Sequence, residues 1–359
     1  MPSNFPTFGL MRNWETPFGP VYAGQEAFQA LDAWLLEHRE SYSQVLILTD
    51  EQVHEACIPF ILGNLAHLGE SSILEIESGE SSKSLDLLGQ LYLAMLDYGA
   101  DRQSLVLSVG GGVVTDLGGM LASTFMRGVD HVVIPTSLLG MVDASIGGKN
   151  GVNVGSFKNL AGTFAPSCGV YVQPDLLTSL PEVHWRAGWA ECLKHAYLMG
   201  SHVWEEAIAL RELAHLRPLL PHLMEAKIQR IQTDPFEQGL ERKALNLGHS
   251  MAHAAEAHLG PDLLHGDAVA AGMWLEFDIA ESMGLCAAED VAAMKNIIDH
   301  WWPERLRLDD QVIDRLRGDK KNHAGAVRMA LPGAPGAPVT LTEVSEFNIK
   351  KALASYASN

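Results

Sequence analysis

Short apolar runs alternate with helix-length segments through the first half of the chain, and this alternation is the strongest constraint on its fold. The clearest runs are QVLILT at 44–49, SLVLSV at 104–109 and HVVIP at 131–135. Runs that are apolar almost throughout are typical of parallel strands buried on both faces. Because helix-length segments separate them, the sequence predicts a parallel sheet of the Rossmann-like α/β class, covered by helices.

The second half has a different pattern, in which helix-length segments dominate after about Leu180. Pro174, Pro181 and the turn-like YVQPD mark a boundary. A chain of 359 residues is long enough for two domains, each with its own core. We therefore predict an α/β domain over 1–180 and a mainly helical domain over 181–359. The PGAPGAP segment at 332–338 predicts a local loop.

Composition excludes several classes of partner. The formal charge of −19 argues against nucleic acid and against an anionic membrane surface as the main partner. No apolar run approaches the ~18 residues of a membrane span, and the N-terminal sequence lacks the layout of a signal peptide, so we expect a cytoplasmic protein. The four cysteines form no CxxC pair, which argues against structural zinc and a disulfide framework.

Histidines in LNLGHSMAHAAEAH (245–258) and LHGDAVAAGM (264–273) indicate metal chemistry. His249 and His253 lie four apart on one helical face, with His265 in the next segment, and such nitrogens can converge on a divalent cation. The alternative is an ordinary amphipathic core helix with partly buried histidines. Glu191, an acid in the otherwise apolar GWAECLKHAYLM, favours the metal, because a buried carboxylate needs a cation or a hydrogen-bonding network. The pattern predicts a metalloenzyme.

A glycine turn follows the second of the apolar runs. Gly110, Gly111 and Gly112 precede VVTDLGGMLAST, a helical pattern. Glycines let a phosphate approach the backbone, and a helix N-terminus offers free N–H groups. The turn lacks the full GxGxxG pattern, so a plain tight turn is the alternative to a dinucleotide site. Asp116 would either cap the helix or hold a ribose.

The glycine- and lysine-rich stretch DASIGGKNGVNVGSFKN (143–159) predicts an anion-binding loop, with solvated loop lysines as the alternative. Lys149 and Lys158 lie within it. If gathered in one cleft, the cations of this chain would bind a phosphate and a carboxylate. The further candidates are Arg127, Lys194, Lys227, Arg242 and the pair Lys320 and Lys321.

Six motifs, in this order, resemble the sugar-phosphate cyclases and most closely the 3-dehydroquinate synthase family. They are GGGVVTDLGGMLASTFMRG, IPTSLLGMVDASIGGKNGVN, FKNLAGTF, GWAECLKHA, RKALNLGHSMAHAAEA and LLHGDAVAAGM. The likeness runs from LILTD near residue 47 to DKKN at 319–322. It implies an N-terminal Rossmann-like NAD domain, a largely helical metal-binding domain, and an active site between them.

The resemblance also implies residue roles. The metal ligands, for zinc or cobalt, fall on Glu191, His249 and His265, which makes His253 a substrate contact and gives His195 no metal role. NAD contacts fall on Asp50, Glu80, Lys83, Gly111, Gly112, Val113, Asp116, Thr136, Ser137, Leu139, Lys158 and Ser179. Substrate contacts fall on Arg127, Asp143, Lys149, Asn159, Lys194, Lys227, Arg242, Asn246, His253 and either Lys320 or Lys321.

The chain departs from the family's pattern at a few positions. Ser137 and Ser179 stand where threonine is usual, and each keeps the hydroxyl. Asp267 stands where glutamate usually follows the HG pair, so we expect the support of His265 to be altered. Glu241 makes the run before Asn246 one residue longer than usual.

The activity that the resemblance implies is conversion of 3-deoxy-D-arabino-heptulosonate 7-phosphate to 3-dehydroquinate and phosphate, a step of aromatic amino-acid biosynthesis by the shikimate pathway. NAD would be regenerated in each turnover, and the cation would act as a Lewis acid. Lys149 is the first candidate for the phosphate and Arg242 for the carboxylate. We expect a homodimer. The alternatives are a sibling cyclase acting on sedoheptulose 7-phosphate or an amino analogue, a metal-dependent polyol dehydrogenase, and a non-catalytic metabolite-binding protein.

Overall fold

The computed structural model describes residues 11–155, 157–260, 262–317 and 327–358. Lys320 and Lys321, the candidate substrate lysines of DKKN, lie outside the described residues. The chain forms two compact units, Met1–Trp185 and Arg186–Asn359.

The first unit is an α/β structure. Its strands are β1 Arg12–Trp14, β2 Val21–Ala23, β3 Val45–Asp50, β4 Ser72–Ile76, β5 Leu105–Gly110, β6 Asp130–Pro135, β7 Lys149–Val154, β8 Phe157–Phe164 and β9 Gly169–Val172. Its main helices are α1 Ala27–His38, α2 Glu51–Asn64, α3 Leu85–Asp97 and α4 Gly112–Thr124. The three runs identified in the sequence correspond to β3, β5 and β6.

Seven strands form one sheet in the order β1-β2-β9-β6-β5-β3-β4. All neighbouring pairs are parallel except β1 and β2 at one edge. Every residue of β5 is buried, as expected for a central strand covered on both faces. One core cluster of buried residues contains apolar side chains of β3, β4, β5, α3 and α4. The predicted Rossmann-like parallel sheet is confirmed.

Two glycines allow α4 to pack closely on its neighbours. A Cβ on Gly118 would lie 1.8 Å from Ser108 Oγ of β5, and a Cβ on Gly119 would lie 1.8 Å from Asn150 Oδ1 of β7. Both distances are far below van der Waals contact, so a side chain at either position would displace Ser108 or Asn150. The GG pair in DLGGM therefore holds this helix against the sheet and against β7.

The stretch 143–159 is only in part the loop that its glycines and asparagines predicted, because strands begin at Lys149 and Phe157. Strands β7 and β8 pair antiparallel, with Lys149 opposite Phe164 and Gly151 opposite Gly162. A Cβ on Gly162 would lie 2.4 Å from the carbonyl oxygen of Asn150, so the glycines permit close strand pairing here. Strand pairing thus overrides the local loop propensity of these residues.

The second unit is mainly helical, as predicted. It comprises most of α5 Glu182–Met199, followed by α6 Ser201–Ala209, α7 Leu220–Thr233, α8 His249–Leu259, α9 His265–Ser282, α10 Ala288–Trp301, α11 Gln311–Arg317 and α12 Glu346–Ser358. A two-stranded antiparallel sheet of β10 Val327–Leu331 and β11 Thr340–Val344 was not predicted. The PGAPGAP segment connects these two strands as an irregular turn, as expected.

Among the described helices, none is both long enough and apolar enough to span a lipid bilayer.

Candidate functional site

The glycine turn at the end of β5 has the features of a phosphate-binding helix start. Gly111 is the N-cap of α4 and no side chain caps this end of the helix. A Cβ on Gly111 would lie 3.3 Å from Ser137 Oγ, and one on Gly112 would lie 3.3 Å from Ala144 Cβ. The absence of side chains at these positions keeps the first N–H groups of α4 accessible, and the helix dipole favours an anion there.

Asp116 does not cap α4, contrary to one of the two sequence interpretations. It lies in the second turn of the helix, and its Oδ2 accepts from the ammonium of Lys83 at 2.5 Å. Lys83 is buried, so each partner compensates the charge of the other. Two residues with implied NAD roles, distant in sequence, are therefore in direct contact.

Other residues with implied NAD roles follow the carboxyl ends of neighbouring strands. Asp50 ends β3, where its carboxylate caps α2 and also accepts from Ser78 Oγ at 3.0 Å. Thr136 follows β6, and its N–H donates to the carbonyl of Gly110 at 2.9 Å. Ser137 Oγ accepts from the N–H of Gly140 at 3.1 Å. Ligands of open α/β sheets bind at this edge.

The remaining residues with implied NAD roles lie in several different elements of the first unit. Glu80 Oε1 accepts from Asn153 Nδ2 at 2.8 Å, which links the ESSK segment to β7. Ser179 ends a 3₁₀ helix, and its Oγ lies 3.5 Å from Cys57 Sγ. Val113 lies in the first turn of α4 and Leu139 just before a π-helical turn, Gly140–Ala144, whereas Lys158 is exposed on β8.

Four residues with implied substrate roles lie in the first unit. Arg127 and Lys149 are exposed, and Asp143 is half-buried in the π-helical turn. Arg127 has a φ of 74°, and Asn159 has a φ of 50°, both in the left-handed region. The N–H of Asn159 donates to Asn153 Oδ1 at 2.8 Å, which holds this backbone in place.

Three side chains in the second unit form a candidate metal centre. Glu191 lies in the middle of α5, while His249 and His265 are the first residues of α8 and α9. One ligand atom from each residue lies within 4.8 Å of the other two. Glu191 Oε1 is 3.4 Å from His249 Nε2 and 3.2 Å from His265 Nε2. Glu191 is fully buried, so its carboxylate requires such partners.

A close helix contact places His265 beside Glu191. A Cβ on Gly266 would lie 1.9 Å from the carbonyl oxygen of Ala187. Ala187 precedes Glu191 by about one helical turn, so both lie on the same face of α5. In the HG pair, the candidate ligand His265 is therefore followed by Gly266, the residue that allows α9 to pack closely against α5.

Each histidine is oriented through its second nitrogen. His249 Nδ1 lies 3.1 Å from the carbonyl of Leu247, and His265 Nδ1 lies 3.2 Å from Glu256 Oε1. Burial lowers the pKa of His265, but hydrogen bonds to Glu191 and Glu256 outweigh it and raise the pKa to about 10. The two carboxylates thus stabilise a positive charge at this ring.

Glu256 is a residue that the sequence analysis missed, although it lies in a quoted motif seven residues after His249. That spacing places both on one face of α8. Asp267, which was expected to influence His265, instead accepts from Trp302 Nε1 at 2.7 Å and lies 3.6 Å from Arg186 Nε. The acid at Nδ1 of His265 is therefore Glu256, whereas Asp267 is directed at Trp302 and Arg186.

Lys194 and His253 lie beside the candidate metal centre. The ammonium of Lys194 is buried and forms an ion pair with Glu191 Oε2. His253 is exposed, and its ring packs edge-on against that of His249 at 5.6 Å between centroids. No metal-binding group of three that includes His253 occurs among the described residues. His195 is fully buried on α5.

A second polar group is organised by Asp234, which follows α7. Its carboxylate accepts from the N–H groups of Gln238, Gly239 and Arg242 at 2.9, 3.0 and 3.3 Å. Burial raises the pKa of Asp234, but these N–H groups outweigh burial and lower it. The carboxylate therefore remains ionised and fixes the turn that leads into a 3₁₀ helix, Arg242–Asn246.

Arg242, Asn246 and Lys227 belong to this region of the second unit. Arg242 is buried, and its guanidinium donates to the carbonyl of Pro235. Asn246 Nδ2 donates to Glu237 Oε1 at 3.0 Å. Glu237 was not identified from the sequence, although its φ of 57° marks an unusual backbone position. Lys227 is buried on α7.

Comparison with known proteins agrees with this architecture. The family model of the 3-dehydroquinate synthase N-terminal region matches residues 73–187, and that of the C-terminal region matches residues 188–322. A 3-dehydroquinate synthase of Leptospira interrogans is 35% identical over 309 residues, which cover 83% of this chain and 84% of that protein. This chain belongs to the 3-dehydroquinate synthase family.

Solved structures of sugar-phosphate cyclases share the fold of this family member. A 2-deoxy-scyllo-inosose synthase complexed with carbaglucose-6-phosphate, NAD⁺ and Co²⁺ matches with a TM-score of 0.85 at 22% identity, over 96% of this chain and 100% of that one. The 2-epi-5-epi-valiolone synthase of Streptomyces hygroscopicus, with NAD⁺ and Zn²⁺ bound, matches with a TM-score of 0.76 at 28% identity. That match covers 89% of this chain and 91% of that one.

Proposed function

We propose that this protein is a 3-dehydroquinate synthase, which converts 3-deoxy-D-arabino-heptulosonate 7-phosphate to 3-dehydroquinate and phosphate. The observation that carries the proposal is the cluster of Glu191, His249 and His265 in a chain of this family. NAD and one divalent cation are the cofactors that we assign. Relatives with the same fold contain NAD⁺ with Co²⁺ or Zn²⁺.

The residues present fit both cofactors. Two imidazole nitrogens and one carboxylate oxygen suit zinc and also cobalt, and three protein ligands leave a position for substrate oxygens. Gly111 and Gly112 leave the N-terminus of α4 open to a pyrophosphate. When bound, the cation supplies Lewis-acid polarisation of a substrate hydroxyl and NAD supplies reversible hydride acceptance.

The ligand-orienting groups have defined tasks in this proposal. Glu256 would hold the Nδ1 proton of His265, so that Nε2 can exchange its own proton for the cation beside Glu191. The carbonyl of Leu247 does the same for His249. These contacts orient both rings before any cation arrives, which reduces the cost of ordering the site.

Lys194, Asn246 and His253 are the residues that we assign to orienting substrate hydroxyls and moving protons. The buried ammonium of Lys194 lies against Glu191, so a substrate oxygen near the cation would also be near this charge. Asn246 is held by Glu237, which leaves its amide oxygen to accept from a substrate hydroxyl. His253 is exposed beside His249, where a ring can exchange protons with solvent.

Charged residues would hold the two acidic ends of the substrate. Arg242 is assigned to the carboxylate because a guanidinium can form two parallel hydrogen bonds with it. Lys149 is assigned to the phosphate, together with Arg127, Asn159 and Lys227. Oxidation of a substrate hydroxyl to a ketone would acidify the adjacent C–H bond, so that phosphate could leave. The remaining steps would return the hydride and close the ring by an intramolecular aldol reaction.

The decisive experiment measures phosphate release from 3-deoxy-D-arabino-heptulosonate 7-phosphate in the presence of NAD and zinc, with the carbocyclic product identified by mass spectrometry. Formation of 3-dehydroquinate in step with phosphate is the expected result. Turnover of sedoheptulose 7-phosphate instead would reassign the protein to the sibling cyclases. The homodimer and the cytoplasmic location stay predictions.

A further inference from the structure

Glu276 is a fully buried acid in the middle of α9 that no step of the proposed reaction uses. Its Oε2 accepts from the N–H of Gly248 at 2.6 Å, and its Oε1 accepts from the N–H of Met251 at 3.2 Å. Both N–H groups belong to the N-terminal turn of α8. The carboxylate therefore makes, from another helix, the bonds that an N-cap side chain normally makes.

Helix α8 has no such cap of its own. Its N-cap residue is Gly248, which has a φ of 81° and offers no side chain to the free N–H groups. His249 is the first residue after this cap, so the conformation of the first turn decides where its imidazole is directed.

The position of Glu276 follows from the packing of α9. A Cβ on Gly272 would lie 2.0 Å from the carbonyl oxygen of Gly248, so the two backbones touch. Glu276 comes four residues later, one turn along the same face. His265 precedes Gly272 by seven residues, which at about 3.6 residues per turn also lies on nearly that face. One face of α9 thus carries a ligand, the contact with α8 and the cap.

We propose that Glu276 is a positioning residue that fixes the first turn of α8 and so holds His249 in place to bind the cation together with Glu191 and His265. This inference rests on the proposed function, because it concerns the affinity for that cation. Glu276 itself is no ligand: its oxygens are directed at backbone N–H groups.

Glu276 is costly to bury in its ionised form. Burial raises its pKa to about 8, although the N–H groups of Met251, Gly248 and Ser250 act in the opposite direction. A buried acid in an otherwise apolar stretch of helix destabilises the fold unless its contacts compensate for the lost hydration. The compensation here consists of backbone bonds at a single place, the start of the helix that carries His249.

The test compares Glu276→Ala and Glu276→Gln with the unaltered protein and with Glu281→Gln, which changes an exposed acid on the same helix. The metal alone is the probe: zinc affinity by competition with a chromophoric chelator, and the visible spectrum of the cobalt-loaded protein. We expect zinc affinity to fall about tenfold or more in Glu276→Ala and less in Glu276→Gln. The cobalt spectrum should change, because the geometry of His249 changes.

A merely structural role would lower the thermal midpoint but leave zinc affinity and the cobalt spectrum of the folded protein unchanged. That result in Glu276→Gln would overturn the inference, and so would an equal loss of affinity in Glu281→Gln. If Glu276→Ala does not fold, Glu276→Gln decides. Failure of the unaltered protein to bind one cation would instead overturn the proposed function, and this inference with it.

Discussion

Glu256 and His265 form a carboxylate–imidazole pair, with Glu256 Oε1 3.2 Å from His265 Nδ1. The other nitrogen of the same ring, Nε2, lies 3.2 Å from Glu191 Oε1. The ring is therefore oriented by one carboxylate and directed at another. A histidine held in this way offers Nε2 as a ligand, and the acid behind it increases the basicity of that nitrogen.

Glu256→Ala should lower the affinity for zinc by about 10- to 100-fold, because the ring of His265 loses the group that fixes its tautomer. Glu256→Gln should have a smaller effect, since its amide oxygen still accepts the Nδ1 proton. Chelator competition measures both. Asp267→Asn is the matched control, because Asp267 accepts a hydrogen bond from Trp302 and lies 3.6 Å from Arg186 Nε. An equal loss of zinc affinity in the Glu256 and Asp267 variants would show that the contact between Glu256 and His265 has no special role.

The contrast between Glu256 and Asp267 shows where sequence reasoning ends. The pattern of the second half predicts helices and identifies His249 and His265 as candidates, because helical spacing and residue chemistry are local properties. Which acid lies at Nδ1 of His265 depends on how α8 and α9 pack against each other, and this packing is not a local property of the sequence. Glu276 is a stronger example, since its N–H partners lie 25 and 28 residues away.

In the first half, prediction succeeded for the buried strands and failed for the hairpin. Strands β3, β5 and β6 are apolar runs, and their apolar composition is enough to predict that they are buried. Strands β7 and β8 are rich in glycine, asparagine and lysine, which favour turns when considered alone. Their pairing depends on a register that allows Gly151 to lie opposite Gly162, and this register is a tertiary property.

His249→Ala should abolish stoichiometric metal binding and turnover together, because it removes one of three protein ligands. Elemental analysis of the purified variant measures the first, and the phosphate-release assay measures the second. His258→Ala is the control on the same helix, since His258 lies near Asp309 and away from the cluster. Full metal occupancy in His249→Ala would remove this residue from the ligand set.

Turnover with the heptulosonate phosphate should produce no net NADH. The proposed reaction oxidises and then reduces the same carbon, so the absorbance of the reduced cofactor should not accumulate while phosphate is released. The measurement is a simultaneous record of both signals. NADH that builds up in proportion to substrate consumed would instead assign the protein to the polyol dehydrogenases.

The α/β unit should lose stability in mild acid through His131. This histidine is buried in β6, where its Nε2 lies 2.7 Å from Ser108 Oγ, and burial lowers its pKa from 6.5 to about 4. Between these values the unfolded chain binds the proton and the folded protein does not. Stability is therefore retained above about pH 6.5 and lost as the pH falls toward 4, by about 3 kcal/mol in total.

Urea unfolding at about pH 7.5 and about pH 4.5 tests this expectation. His131→Gln should be less stable than the unaltered protein near neutrality, yet its stability should fall less with acidification. The exposed His184→Gln serves as the control and should leave the pH dependence unchanged. An identical acid-induced loss in His131→Gln would assign that loss to other groups.

Arg242→Lys should lower kcat/KM for the heptulosonate phosphate by about 10- to 100-fold. A guanidinium can grip a carboxylate with two parallel hydrogen bonds, which an ammonium cannot reproduce, and a lost charge-assisted bond costs about 1.5–3 kcal/mol. Arg230→Lys is the control, because Arg230 is half-buried and its guanidinium also donates to backbone carbonyls. Arg230→Lys should show any loss of stability that follows from replacing an arginine, but it should not lower kcat/KM.

Metal content should stay unchanged in both variants, since the cluster of Glu191, His249 and His265 does not include either arginine. Normal kinetics in Arg242→Lys, or a preference of the unaltered protein for sedoheptulose 7-phosphate, would contradict the carboxylate role and favour a sibling cyclase.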